Sequence, residues 1–200
     1  SLSTITKWMC EKFAIETKII PVTDATVETR ITTDKGEMHL QEYWVKYRGL
    51  DSIEGIQYLG ADKCRPNPEA VNAIHDSQLV IIAPGNPLTS IGPMLAMKGI
   101  RKELSKNKNK VVAVSPIIGN APLNGPAGKY MEAADIEVSP YGVAKMYADV
   151  CSHFVIDTKD RMLTKKIESL NMKVHDTNIN MKNKKAEDAL GTFLLKTLNN

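Results

Sequence analysis

Two apolar, β-branched runs constrain this chain more than anything else in it, because each leads straight into a loop of Gly, Pro and Asn. The first is Leu79-Val80-Ile81-Ile82-Ala83, followed by Pro84-Gly85-Asn86-Pro87-Leu88-Thr89-Ser90. The second is Val111-Val112-Ala113-Val114, followed by Ser115-Pro116-Ile117-Ile118-Gly119-Asn120-Ala121-Pro122. Short runs with no polar alternation read as strands buried on both faces, the mark of a parallel sheet covered by helices. A strand, such a loop and then a helix offer backbone N–H groups, hydroxyls and the positive end of a helix dipole to an anion. Two such units in tandem predict a phosphate-bearing ligand at the carboxyl ends of neighbouring parallel strands.

The rest of the chain falls into place around these units. Ser3 or Thr4 is placed to cap a short amphipathic helix carrying Ile5, Trp8, Met9 and Phe13. Lys18 to Val22 reads as a short strand. Val27–Thr33 and Glu37–Tyr47 read as a hairpin across the turn Thr33-Asp34-Lys35-Gly36, with Met38, Leu40 and Trp44 on one face and Tyr43, Val45 and Tyr47 on the other. Ile53–Leu59 is a further strand. From Pro66 onward β and α units alternate. Pro68 suits a first helical turn, with Ala70, Val71 and Ile74 as its apolar stripe. Helix Ile91–Leu104, strand Val111–Ser115, a helix begun by Pro126 and a helix from Pro140 to Tyr147 follow. Strand Phe154–Asp157 comes next, then helix Arg161–Leu170 capped by Asp157 or Asp160, strand Met172–His175 and a last amphipathic helix Lys184–Leu198. That helix is expected to turn Ala186, Ala189, Leu190, Phe193 and Leu194 inward. The expected fold class is α/β: a doubly wound, mainly parallel, Rossmann-like sheet with a small antiparallel hairpin insertion. It forms a single domain over residues 1–200, strand-rich and antiparallel over 17–60 and alternating over 66–200. The first segment reads like the middle of a helix, which fits either an ordinary processed N terminus or the later part of a longer protein; on the second reading the domain is expected to be incomplete at its N terminus.

Composition narrows the function. A net charge of +3 is too small to argue for nucleic acid, and the Lys-rich stretches Lys102–Lys110 and Lys182–Lys185 lack the interleaved aromatics of a nucleic-acid surface. No apolar run is long enough for a membrane helix, and no secretory signal opens the chain. Cys10, Cys64 and Cys151 are odd in number and form no C-x-x-C, which fits a reduced cytoplasmic setting and no zinc site. His39, His75, His153 and His175 have no motif partner and read as structural or surface residues.

The chemistry is expected in the two loops. Gly85 and Asn86 allow a ligand to approach a constrained turn, while Thr89 and Ser90 serve either as ligand contacts or as ordinary helix caps. Ser115 ends a buried strand where active-site residues gather, and Gly119 and Asn120 are placed to turn the chain and expose N–H groups. Gly125-Pro126-Ala127-Gly128-Lys129 sets a flexible glycine before a helix start and a lysine in its first turn, where a cation works against the dipole and so points to a phosphate role. Asn86→Ala and Lys129→Ala are therefore expected to weaken ligand use and leave the fold intact. Asp24 is the candidate Mg²⁺ ligand, although a turn-forming role suits it equally. No residue is marked as catalytic.

These residues carry a resemblance. Ala83-Pro84-Gly85-Asn86-Pro87-Leu88-Thr89-Ser90-Ile91-Gly92-Pro93, Ser115-Pro116-Ile117-Ile118-Gly119-Asn120-Ala121-Pro122 and Gly125-Pro126-Ala127-Gly128-Lys129 resemble the 2-phospho-L-lactate transferase (CofD) family. Pro21-Val22-Thr23-Asp24, Leu40-Gln41-Glu42-Tyr43-Trp44-Val45, Phe154-Val155-Ile156-Asp157 and Asp160 also fit it, and the whole chain resembles the family's C-terminal two-thirds. The resemblance implies an archaeal-type, Mg²⁺-dependent enzyme of coenzyme F420 biosynthesis, cytoplasmic and homodimeric. Such an enzyme moves a phospholactyl-type group, from 2-phospho-L-lactate or its enolpyruvyl analogue, out of a guanosine-diphosphate-activated donor. The acceptor is the deazaflavin Fo, and GMP is released. The loops would then cradle the donor's diphosphate. The family's Gly-rich opening and Asp-Leu-Asp region are not present, and Ala25 stands where a second Asp is frequent. Gly85 replaces a frequent Ser and leans toward a sister family of non-catalytic nucleotide-sugar-binding regulators, which lacks the Ser-Pro-Ile-Ile-Gly loop. That sister family is the alternative.

Overall fold

A computed structural model describes residues 1–123 and 125–199. The chain opens on helix α1 (Leu2–Lys12), followed by β1 (Glu28–Thr33), β2 (Gly36–His39), α2 (Leu40–Val45) and β3 (Gly55–Leu59). Then come α3 (Pro68–Asp76), β4 (Val80–Ile82), α4 (Ile91–Ala96), α5 (Lys98–Lys106), β5 (Val111–Val114) and the small hairpin β6 (Ile117–Ile118) with β7 (Ala121–Pro122). The last part is α6 (Ala127–Ala133), α7 (Pro140–Tyr147), β8 (His153–Asp157), α8 (Thr164–Glu168), β9 (Lys173–Thr177) and α9 (Lys184–Lys196).

The central sheet is parallel, in the order β4-β5-β8-β9. Strand order thus follows chain order in one direction among the described residues. Every residue of β5 is buried, as its unbroken apolar run requires. Val111, Ala113, Phe154 and Ile156 face the larger core, which takes in Ile100, Leu104, Tyr130, Met131, Val143 and Tyr147 from the helices. Val112, Val114 and Val155 face the other way, under Leu190 and Leu194 of α9. Helices therefore cover both faces of the sheet, which is the expected α/β class. Each fully buried Val stabilises the fold by about 1.5–3 kcal/mol relative to exposure. The antiparallel sheet, in the order β2-β1-β3, packs Ile31 and Met38 into the same large core. Its hairpin turns at Gly36, whose φ of +100° needs a residue without Cβ.

Several local expectations are corrected. Ser1, not Ser3 or Thr4, caps α1 by accepting the Thr4 amide, and Leu2, Ile5, Trp8, Met9 and Phe13 are exposed. Lys18–Val22 forms no strand. It lies against the start of α3, where Asn67 donates to Val22 O at 2.8 Å and to Pro21 O at 3.2 Å. The second hairpin arm stops at His39, whose Nδ1 accepts the Gln41 amide and opens α2. Leu40, Tyr43 and Trp44 then share one helical face, a spacing of three and four that alternation hides, and Tyr47 packs on the same core just past the helix end. Helix 91–104 is broken at the extended, buried Met97, which re-aims α5 so that Ile100 and Leu104 enter the core. Asp157 caps a 3₁₀ turn over Thr158–Leu163 before α8, and Ala189 is exposed while Leu190 and Leu194 are buried. Among the described residues, no helix is long and apolar enough to cross a membrane.

Candidate functional site

The first loop leaves the carboxyl end of β4, and its polar groups are mostly spent on itself. The Asn86 side-chain oxygen accepts the amides of Leu88 at 3.0 Å and Thr89 at 3.1 Å, and its backbone oxygen accepts those of Ser90 and Ile91, each at 3.0 Å. Gly85 donates its own amide to Ala83 O at 2.7 Å. The expected row of free N–H groups is therefore turned inward, because an Asn side chain imitates a backbone carbonyl and closes the turn before a ligand can. What faces outward is the Ser90 hydroxyl, which makes no cap hydrogen bond, and the half-buried Thr89. Tyr58 of β3 clamps the loop from the other side by donating to Leu88 O at 2.5 Å. Burial raises the Tyr58 hydroxyl to about 12, so it stays a donor. Gly92 lets the ring approach, since a Cβ there would lie 2.1 Å from Tyr58 Oη.

The second loop is similarly wired, yet it opens a cleft. Ser115 is fully buried, and its Oγ donates to Ile117 O at 2.8 Å and accepts the Ile117 amide at 3.1 Å. It shapes the turn into β6 and reaches no solvent, which removes it from ligand contact. Gly119 sits at φ +63° and donates its amide to both carboxylate oxygens of Asp160, at 2.9 and 3.1 Å. That amide too is taken, here by a carboxylate from the turn after β8. Gly119, Asn120, Ser139, Lys159 and Asp160 line an open cleft of about 700 Å³ over the carboxyl ends of β5 and β8. Burial pushes the Asp160 carboxyl up, the Gly119 amide pulls it down, and Asp157 nearby pushes it up again. Glu137 lines the same cleft but is held below its ordinary range by Ser139 and Lys166, which donate to it at 2.6 and 3.0 Å. A perturbed carboxylate in a cleft, beside an exposed lysine, is the kind of group that takes a proton or steers an anion.

The structure thus brings Gly119 and Asn120 together with Asp160 and Lys159, whereas Gly85, Asn86, Thr89 and Ser90 line no part of that cleft. Gly125, at φ +65°, is exposed before α6 and lines no part of that cleft either. Lys129 lies elsewhere: its Nζ donates to Gly49 O at 2.7 Å and Asp51 O at 2.5 Å and lies 5.4 Å from the Tyr43 ring centre. It ties down the loop after α2, which explains a cation in the first turn of α6 without a phosphate. Asp24 accepts the Ser3 amide at 2.7 Å, a bond that holds its carboxyl below the usual range. No group of three or more His, Cys, Asp or Glu that could hold a metal ion occurs among the described residues. Cys151 is buried and its thiol is pushed up to about 12, which makes it inert. Lys159 was missed in the sequence, although its place two residues past a buried strand's carboxyl end is a signal for it.

Comparison with known proteins extends this geometry. The family model described as 2-phospho-L-lactate transferase CofD matches residues 1–193. The 2-phospho-L-lactate transferase of Methanosarcina mazei is 44% identical over 161 residues, covering 80% of this chain and 52% of that protein. That of Methanocaldococcus jannaschii is 45% identical over 157 residues, covering 76% of this chain and 50% of that protein. The chain spans about half the length of these curated relatives. A crystal structure of protein BH3568 from Bacillus halodurans aligns with a TM-score of 0.64 at 13% identity, over 96% of this chain and 66% of that one. A second structure of BH3568, described as a member of the upf0052 family, aligns with a TM-score of 0.62 at 14% identity. At such identity the likeness is one of fold.

Proposed function

This chain belongs to the 2-phospho-L-lactate transferase CofD family, and from that membership we propose that it moves a phospholactyl-type group from a guanosine-diphosphate-activated donor to the terminal hydroxyl of the deazaflavin Fo. In this reading the Fo oxygen attacks the phosphorus that carries the lactyl group. The bond from that phosphorus to GMP breaks, and GMP leaves. The observation that carries the reading is the family match across residues 1–193, with its most specific loop forming the wall of the cleft at Gly119 and Asn120.

The cleft's chemistry supports the same reading. Of its two carboxylates, Asp160 is the one whose pKa burial raises and is assigned the Fo hydroxyl proton, while Glu137 is engaged by Ser139 and Lys166. Lys159 offsets the negative charge that gathers on the phosphate during transfer. Asn120 is assigned to the ligand through its exposed side chain, and Thr89 and Ser90, which line no part of this cleft, to a portion of the donor that extends beyond it. Asp24 would supply a carboxylate to the Mg²⁺ that the resemblance implies, and no step is assigned to the ion. The reading includes a homodimer, which light scattering would test.

Incubating the protein with Fo, Mg²⁺ and the guanylated donor should give phospholactyl-Fo by mass spectrometry. No product, together with tight binding of a uridine nucleotide-sugar, would replace this reading with that of a non-catalytic regulator.

A further inference from the structure

A second cleft, of about 310 Å³, adjoins the first across Ile118 and Lys159, which line both. It lies at the carboxyl ends of β8 and β9, among Asp157, Thr158, Lys159, Asn178, Asn180 and Lys182. None of the site residues expected from the loops belongs to it.

Its acceptors are largely consumed and its donors are left open. Asp157, only 3% exposed, accepts the Lys159 amide at 3.0 Å through one oxygen and the Ile179 amide at 3.3 Å through the other. Its carboxylate is therefore part of the frame. The Asn178 side-chain oxygen accepts the Asn180 amide at 3.0 Å, and Asn180 O accepts the Lys182 amide at 3.0 Å. These two bonds fold residues 178–182 into a tight turn that brings Lys182 to the cleft that Lys159 also lines. The Asn178 side-chain nitrogen can only donate. Lys159 and Lys182 are among the lysines that form no ion pair within the described residues; what sets them apart is that both line this one concavity. Two unpaired ammonium groups and amide and hydroxyl donors in one concavity concentrate positive potential on it.

We propose that this pocket is an oxyanion site that takes a phosphate or diphosphate group between Lys159 and Lys182. The proposal stands on these contacts alone and holds whether or not the chain is a transferase. The phosphate comes either from a free inorganic ion or from a nucleotide, and the test separates the two.

Calorimetric titration with inorganic pyrophosphate at low ionic strength compares three proteins of the full chain. They are the wild type, Lys159→Gln/Lys182→Gln, and the charge-matched control Lys7→Gln/Lys196→Gln, each checked for folding by circular dichroism. The expected result is a loss of about tenfold or more in pyrophosphate affinity for the pocket variant and less than about twofold for the control. GDP binding at least about tenfold tighter than pyrophosphate identifies a nucleotide as occupant, and GDP binding no tighter than pyrophosphate identifies a free ion. Equal losses in both variants, no loss in the pocket variant, or no saturable binding to wild type below roughly 10 mM would overturn the proposal.

Discussion

Asn86 is the residue whose role the structure most changes, and its truncation has a worked consequence. Its side-chain oxygen accepts the amides of buried Leu88 and half-buried Thr89 at 3.0 and 3.1 Å. Asn86→Ala removes that oxygen and leaves both donors without their partner in a Pro-flanked turn. An orphaned buried donor costs about 1–3 kcal/mol, so the loss comes to about 2–4 kcal/mol with the exposed share of Thr89 discounted. For a chain of this length each kcal/mol moves Tm by about 2–4 °C, which gives a drop of about 5–15 °C. Asn86→Asp keeps both acceptors and should stay within about 1 kcal/mol of wild type. Thermal and urea unfolding followed by circular dichroism measure all three proteins. An Asn86→Ala protein that melts with the wild type, or an Asp variant as unstable as the Ala one, would refute the wiring and restore Asn86 as a plain ligand contact.

Other predictions follow from contacts of the same kind. Gly92→Ala should cost about 1–3 kcal/mol by overpacking, because its Cβ would lie 2.1 Å from Tyr58 Oη; Tyr58→Phe should relieve part of that cost, so additive effects in a double-mutant cycle would contradict the clamp. Lys129→Met should speed amide exchange across Arg48–Ser52, since Gly49 O and Asp51 O lose their shared donor; unchanged exchange there would leave Lys129 free for a ligand role. His175 is stacked on His153, with Nε2 3.1 Å from His153 Nδ1, and burial together with the His153 charge lowers it from 6.5 to about 4. The unfolded chain then takes a proton near 6.5 that the folded one refuses until about 4, so stability present above pH 6.5 is lost as pH falls through that window. His175→Leu should flatten the loss of urea midpoint between neutral pH and pH 5, and an unchanged pH dependence would place its cause elsewhere.

The sheet was readable from sequence because burial on both faces leaves an unbroken apolar run, as in Val111–Val114 and Phe154–Ile156. The hairpin insertion was readable because Gly36 marks its turn. Helix α2 was not, since Leu40–Val45 satisfies both alternation and the three-and-four spacing over so few residues, and the deciding cap is a His nitrogen. The loops were found, but not the destinations of their hydrogen bonds. A Gly-Asn turn that binds phosphate and one that closes on its own Asn read the same until acceptors are placed in space. Gly119 illustrates this: its partner, Asp160, lies 41 residues further along the chain. Lys182 stood inside what read as an ordinary solvated charge run, and only the turn after β9 brings it to a pocket.

The central claim is transfer to an acceptor with loss of GMP, and nucleotide accounting tests it most directly. Guanine nucleotides are separated chromatographically after the guanylated donor is mixed with the protein, with and without Fo. The account predicts GMP formed in equal amount to phospholactyl-Fo, and only when Fo is present. Formation of GDP in place of GMP, or GMP released at the same rate without Fo, would contradict it.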